Sequence, residues 1–144
     1  CALPIYEATS RVFAQANFKK ITMEQDIKNK INFSGDRSLL LRVFQNLLLN
    51  AIHYSPENSI IKAGFSVKKG SKEFFVKDNG PGIHPAHLTT IFDKYKQLQQ
   101  SKGSKDHTVG LGLAFCKLAV NAHKGEIHAE SNGKDGSTFI FSVS

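Results

Sequence analysis

Hydrophobic and polar positions along the chain repeat with two different periods, which predicts both helices and strands. Helical spacing of apolar residues predicts four helices, at 5–17, 36–54, 85–92 and 110–123. Period-two alternation and short apolar runs predict six strands, at 21–27, 31–33, 59–67, 73–77, 125–131 and 137–143. The strands cluster after residue 59 with helices between them, which is typical of a two-layer α+β sandwich with helices on one face of a mixed sheet. A chain of 144 residues fits one such domain.

The segment 94–109 differs from its surroundings in composition. It is rich in Lys, Gln and Ser and has almost no large apolar side chain to anchor it. Loops of this length without regular structure are usually functional or disordered. We therefore expect a lid that is disordered or variable until a ligand is bound.

The net charge of +7 arises from Lys and Arg residues that stand singly or in pairs, with no block of five or more. This pattern favours a solvated basic face or a polyanionic small ligand, and we expect no nucleic-acid partner. Cys1 and Cys116 provide no disulfide framework, so a reducing cytoplasm is the expected compartment. No apolar run is long enough to span a bilayer and no initiating Met is present, so we expect a fragment of a parent protein that is free to carry a membrane anchor.

The predicted helix 36–54 carries a narrow polar stripe. Asn46, Asn50 and His53 are spaced i, i+4 and i+7 and share one face, whereas the other faces are almost wholly apolar. A surface stripe or hydrogen-bonded core amides would explain this pattern. The pattern fits equally a pocket wall at which amide oxygens meet a hard cation and its phosphates.

Three further motifs contain glycine, and each has an ordinary and a functional interpretation. Asp78-Asn79-Gly80-Pro81-Gly82 follows a strand; it is either a tight turn or a place where a backbone approaches a ligand and a carboxylate accepts from an amine such as that of adenine. Gly110-Leu111-Gly112-Leu113 opens a predicted helix, whose N–H groups would suit phosphate. Gly136-Ser137-Thr138-Phe139 by itself indicates only a turn before a strand.

Taken together and in this order, the four motifs resemble the boxes of the Bergerat-type (GHKL) ATPases, which include histidine kinases, gyrase-type topoisomerases, mismatch-repair ATPases and large ATP-dependent chaperones. Leu41 to Pro56 is similar to the asparagine box of the kinases. Ile91-Phe92-Asp93-Lys94-Tyr95 looks like the phenylalanine box that the kinase branch carries. The resemblance runs from about Leu3 to Val143 and predicts the ATP-binding catalytic domain of a sensor histidine kinase, with the Bergerat sandwich and an ATP lid.

The resemblance also implies roles for individual residues. Asn50 would bind Mg²⁺ through its amide oxygen, and Asn46 would face the phosphates or the metal shell as a catalytic residue together with Lys94. Asp78 would accept a hydrogen bond from the adenine amino group, and Thr138 would support Asp78 through water or a hydroxyl contact. The remaining implied contacts to ATP are the base-pocket floor at Gly80, Gly82 and Ile83, aromatic contacts from Tyr54 and Tyr95, a phosphate-side position at His53, and a triphosphate cover formed by Gly110, Leu111, Gly112 and Leu113.

The chain departs from the family pattern at three places. His53 stands where the family usually has Lys or Arg, and Gln97 stands where the phenylalanine box usually ends in Arg. Thr108-Val109 replaces the Gly-Thr that often precedes the second glycine box. A histidine is mostly neutral at pH 7, and Lys94 is not a bidentate replacement for Arg. We therefore expect ATP binding, with an open question over catalytic speed.

The resemblance implies partners as well. The phosphoacceptor would be a histidine followed by Glu or Asp on an upstream dimeric helical hairpin, and a response regulator receiver domain would take the phosphoryl group from it. None of the six histidines here precedes Glu or Asp, so this fragment is expected not to phosphorylate itself. Two alternatives stay open: another Bergerat-type ATPase or anti-sigma-type serine kinase, and a degenerate module that docks a partner without catalysis.

Overall fold

The computed structural model describes residues 3–27, 36–68, 71–93 and 107–143. Its helices are α1 (Leu3–Phe18), α2 (Arg37–Tyr54) and α3 (His107–Ala122), with one 3₁₀ turn at Pro85–His87. Its strands are β1 (Thr22–Ile27), β2 (Ile60–Lys68), β3 (Ser71–Lys77), β4 (Ile127–Ser131) and β5 (Ser137–Val143).

The five strands form one mixed sheet in the order β1-β2-β3-β5-β4. β1 pairs parallel to β2, with Met23 opposite Ile61, and the three other pairings are antiparallel. β3 lies at the centre, where Phe74 is opposite Phe65 on β2 and Phe141 on β5. The sheet therefore brings the end of β3, where Asp78 follows, beside the start of β5.

One face of the sheet is covered by the helices. Along β5, alternate residues from Ser137 to Val143 are buried and those between them are half-exposed, which is the pattern of a strand packed on one side. Three aromatic rings form the centre of this layer: Phe44 of α2 packs edge-on against Phe74 and Phe141, at centroid distances of 5.4 and 5.1 Å. The predicted two-layer α+β fold is confirmed.

α2 is the central helix, and its ends follow the local signals in the sequence. The Asp36 carboxylate accepts hydrogen bonds from the N–H groups of Ser38 and Leu39 at 3.0 and 3.2 Å, which satisfies two donors that the helix itself leaves unpaired. The helix ends at Tyr54, two residues before Pro56. It packs against α1 on one side and α3 on the other, which explains why nearly all of its faces are apolar.

Two predicted elements differ from the structure. The predicted helix 85–92 is only the 3₁₀ turn Pro85–His87 followed by irregular turns, because the N–H of Leu88 bonds to the carbonyl three residues earlier, at Pro85. α3 begins at His107, three residues before Gly110, so 107–109 belong to a helix and not to the predicted lid. The rest of the predicted lid, 94–106, and the predicted strand 31–33 lie outside the described residues.

Candidate functional site

The polar stripe of α2 spans three environments. Asn46 is half-buried, Asn50 is 5% exposed and His53 is exposed. The side-chain oxygen Oδ1 of Asn50 is fully buried and has no hydrogen-bond partner among the described parts of the chain. Leaving a buried amide oxygen without a hydrogen-bond partner costs about 1–3 kcal/mol of folding free energy. A ligand that binds this oxygen would recover that cost, so Oδ1 of Asn50 is the most favourable ligand-binding atom of the stripe.

Asn46 faces α3. A Cβ at Gly112 would lie 3.5 Å from Asn46 Cγ, which places the two helices in close contact there. Burial raises the pKa of the Cys116 thiol from 9.0 to about 12, and a hydrogen bond with Asn46 opposes that rise in part. The same thiol donates to the carbonyl of Val43 at 3.7 Å. Asn46 therefore links the asparagine-box helix to the helix of the second glycine motif.

The second glycine motif is placed differently from the sequence prediction. Because α3 starts at His107, Gly112 lies inside the helix and not at its N-terminus. In a helix that begins at His107, the N–H groups of residues 107–109 have no intrahelical partner and that of Gly110 is the first to pair within the helix, so the unpaired N–H groups precede the predicted motif. The side chain of Leu113 is 1% exposed and forms part of the core. The side chain of Leu111 lies outside the described residues.

Asp78 is a buried carboxylate held by three donors. Its Oδ1 accepts from the N–H of Gly80 at 2.9 Å and from the N–H of Ser137 at 3.2 Å. Its Oδ2 accepts from the hydroxyl of Ser137 at 2.8 Å. An ionised carboxylate offers about four acceptor positions, so one position on Oδ2 is left over. The turn interpretation and the binding interpretation of this motif are therefore compatible.

The hydroxyl that contacts Asp78 directly belongs to Ser137 and not to Thr138. Thr138 is opposite Lys77 and Glu130 in the sheet and is only half-buried, whereas Ser137 is on the helix-covered side and makes the contact. Strand alternation decides this difference, because successive side chains point to opposite faces. The sequence motif was identified correctly, but the hydroxyl belongs to its second residue.

The glycines of the Asp78 loop lie where backbone segments approach one another. A Cβ at Gly80 would lie 2.8 Å from the carbonyl oxygen of Tyr54, the last residue of α2. Gly82 has a φ of +81°, and its Cβ would lie 2.8 Å from the N–H nitrogen of Lys134. The loop is thus packed between the end of α2 and the β4–β5 turn, which only a residue without a side chain permits.

Ser131 is a residue of the site that sequence reasoning missed. Its hydroxyl accepts from the N–H of Ile83 at 2.8 Å and from that of Gly133 at 3.1 Å, and it donates to the carbonyl of Gly136 at 2.8 Å. It thereby connects the loop at Gly82 to the β4–β5 turn. No sequence signal indicates this role, since a serine at the end of a strand is common.

The aromatic residues of the site differ in placement. Tyr54 is 47% exposed, and its ring meets His53 edge-on at a centroid distance of 4.8 Å. Phe92, the centre of the phenylalanine box, is buried and packs edge-on against Phe139 of β5 at 6.1 Å. The box is therefore anchored to the sheet by its phenylalanine. Lys94 and Tyr95 lie outside the described residues.

Comparison with known proteins identifies the family that carries these motifs. The family of histidine kinase-, DNA gyrase B- and HSP90-like ATPases matches residues 35–144. The chain belongs to this family. All four motifs fall within the matched range, so the predicted resemblance to the Bergerat-type ATPases is confirmed.

Sensor kinases are among the relatives of this ATPase domain. It is 37% identical over 133 residues to the adaptive-response sensory kinase SasA of Synechocystis sp., a match that covers 90% of this chain and 34% of SasA. The catalytic domain of histidine kinase ThkA superposes with a TM-score of 0.83 at 25% identity, over 97% of this chain and 89% of that domain. Full-length ShkA in complex with AMPPNP superposes with a TM-score of 0.83 at 22% identity, over 97% of this chain and 29% of ShkA, which shows the fold alone.

The ATPase domain spans only about a third of the length of SasA. Where the structure describes the chain, no helix combines the length and the hydropathy that a bilayer span requires.

Proposed function

We propose that this domain binds Mg-ATP and supplies the γ-phosphoryl group to a histidine on a separate dimeric helical domain. The observation that carries the proposal is the buried, unpartnered Oδ1 of Asn50, which lies one turn from the helix end that packs on the Asp78–Gly80 loop. A cation-binding oxygen and an amine-binding carboxylate thus belong to one wall, as a metal–nucleotide complex requires.

At the base end, Asp78 would recognise adenine. Its remaining acceptor position on Oδ2 would receive a hydrogen bond from the exocyclic amino group, because the other positions are filled by Gly80 and Ser137. Gly80 and Gly82 leave two positions of the loop without a side chain, and Ile83 adds a half-buried apolar contact. Tyr54 would flank the base from the end of α2.

At the metal end, the residues present fit a magnesium ion. Asn50 offers a hard amide oxygen, the ligand type that Mg²⁺ accepts alongside water and phosphate oxygens. When bound, Mg²⁺ would neutralise charge on the phosphates. Asn46, one turn earlier on α2, would hold its amide toward the phosphates or the metal shell while α3 supports it from behind.

At the phosphate end, we assign the contacts to the phosphates to the N-terminus of α3 and to the lid. The unpaired N–H groups of residues 107–109 would donate to phosphate oxygens, favoured by the positive end of the helix dipole. Lys94 would act as the catalytic cation in place of the family's arginine, and Tyr95 would add an aromatic contact. His53 would face the phosphates.

The acceptor and the downstream partner follow from the same proposal. The acceptor histidine would stand on upstream helices of the parent kinase, which would act as a homodimer in the cytoplasm, with or without a membrane anchor. A response regulator receiver domain would then take the phosphoryl group onto an aspartate. The isolated domain would bind ATP without phosphorylating itself.

Titration calorimetry tests the binding half of the proposal. Wild-type chain is expected to bind ATP more tightly with Mg²⁺ than with EDTA, and Asn50→Ala is expected to lose that difference while still binding adenosine. Gln45→Ala, which removes another half-buried amide of α2, is the matched control and should behave as wild type. Absence of ATP binding by the wild-type chain would refute the proposal.

Transfer is tested with the parent kinase that carries the upstream helices. Labelled γ-phosphate from ATP should appear in an acid-labile form on that helical domain and then on an aspartate of the receiver domain. ATP binding without transfer in the parent protein would leave a partner-docking module as the function.

A further inference from the structure

Lys19 joins the end of α1 to the end of α2. Its ammonium group donates to the carbonyl oxygens of Ile52, His53 and Ser55 at 2.9, 3.2 and 2.7 Å. Carbonyls in the last turn of a helix lack intrahelical partners and form the negative end of the helix dipole, so they favour a cation. One half-buried lysine therefore caps the C-terminus of α2 from a distant part of the chain.

The backbone of Lys19 is itself fixed by the way α1 ends. The N–H of Ile21 donates to the carbonyl of Ala16 at 2.9 Å, and that of Lys20 donates to Asn17 at 3.0 Å, with Lys20 in the left-handed region at φ +57°. These two bonds are the Schellman motif, which satisfies the last carbonyls of a helix. Lys19 is thus held at the junction before its side chain reaches α2, so little backbone freedom is lost in forming the contact.

The turn that Lys19 holds contains one wall of the candidate site. Tyr54 is the last residue of α2, and Asn50 lies one helical turn before Tyr54. The carbonyl of Tyr54 would lie 2.8 Å from a Cβ at Gly80, so the loop carrying Asp78 rests directly on this turn. A displacement of the α2 terminus would therefore disturb the base-binding loop and the orientation of Asn50 together.

We propose that Lys19 is a positioning residue for nucleotide binding, acting through the C-terminal turn of α2 and not through contact with the nucleotide. The inference rests on the proposed function, because it names a residue that prepares the same site. Without the ammonium group, the carbonyls of Ile52 and His53 must find water, and the last turn of α2 opens part of the time. Nucleotide binds only the molecules in which the turn is closed. The apparent affinity is therefore the intrinsic affinity multiplied by the fraction of molecules with a closed turn.

The test compares Lys19→Met with Lys20→Met in the 144-residue chain. Lys20 is the exposed neighbour, so its replacement removes the same charge without touching α2. Titrations use ATP, ADP and adenosine at a temperature where circular dichroism shows each variant folded. If the turn is closed a tenth of the time in Lys19→Met, all three affinities fall about tenfold. Lys20→Met should stay within about twofold, and Lys19→Arg, which keeps the charge and several donors, should recover most of the loss.

Hydrogen exchange gives a readout that needs no nucleotide. The amides of residues 52–55 should exchange about tenfold faster in Lys19→Met than in Lys20→Met, while those in the middle of α2 stay unchanged. If Lys19→Met does not fold, Lys19→Gln, which removes the charge but keeps an NH₂ donor group, takes its place.

Several results would overturn the proposal. Unchanged affinity in Lys19→Met would show that the cap does not position the site. A loss for ATP but not for adenosine would indicate direct phosphate contact, and an equal loss in Lys20→Met would indicate charge alone. Failure of the wild-type chain to bind any of the three ligands would instead refute the proposed function, so the two failures are distinguishable.

Discussion

Replacing Asp78 with asparagine changes one atom of a buried carboxylate, because an acceptor oxygen becomes an amide NH₂ group. Oδ1 accepts from two backbone N–H groups, those of Gly80 and Ser137, and must remain an oxygen. The NH₂ group therefore takes the place of Oδ2, where the hydroxyl of Ser137 now donates at 2.8 Å. That hydroxyl can rotate to accept instead, so the fold should survive.

The magnitudes follow from these contacts. Loss of charge assistance on the two backbone bonds should lower the free energy of unfolding by roughly 1–2 kcal/mol. The adenine amino group would then face another donor, which forfeits a charged hydrogen bond of about 1.5–3 kcal/mol and weakens ATP binding roughly 10- to 100-fold. The carbonyl of guanine would face a donor for the first time, so the ratio of GTP to ATP affinity should rise.

Calorimetric titration of Asp78→Asn with Mg-ATP and Mg-GTP measures both quantities, and thermal melts measure the stability change. Glu126→Gln removes one exposed negative charge and serves as the control for net charge. Unchanged ATP affinity in Asp78→Asn would mean that Asp78 is only a turn residue. An equal loss for ATP and GTP would mean that the loop is disturbed in general and that the carboxylate does not read the base.

Two further predictions concern the surroundings of the site. Gly136→Ala should destabilise the fold by about 3 kcal/mol or more, because a Cβ there would lie 2.1 Å from the carbonyl oxygen of Asp78 at a φ of +81°. A denaturant melt close to wild type would show that the β4–β5 turn can move away. Cys116, whose buried thiol has its pKa raised to about 12, should react with alkylating reagents at pH 8 only after unfolding. The thiol of the unfolded chain loses its proton at a lower pH than the buried thiol does. The stability that the buried, protonated thiol contributes is therefore complete below pH 9. It is lost as the pH rises toward 12, by up to about 1.4 kcal/mol per pH unit. Wild type and Cys116→Ala should therefore converge in stability at alkaline pH, and parallel curves would contradict this account.

Much of the architecture follows from local signals that act over a few residues. Asp36 and Pro56 bracket α2 in the sequence as they do in the structure, because capping and the absence of a proline N–H are local effects. Alternation along β5 predicted its bounds, since a strand that is covered on one side imposes period two on its own sequence. The order of the four motifs was sufficient to predict the family. The stripe of Asn46, Asn50 and His53 was visible because these polar residues share one face of a helix that is otherwise almost wholly apolar.

The tertiary structure decided which side chains meet across long separations. Ser137 and not Thr138 supports Asp78, because the pairing of β3 with β5 chooses the face that each residue shows to the helices. The start of α3 at His107 also escaped prediction, because a polar first turn followed by glycines looks like a loop in the sequence. Lys19 has no local signature at all: its partners are carbonyl oxygens at least 33 residues away, and backbone atoms are the same in every sequence.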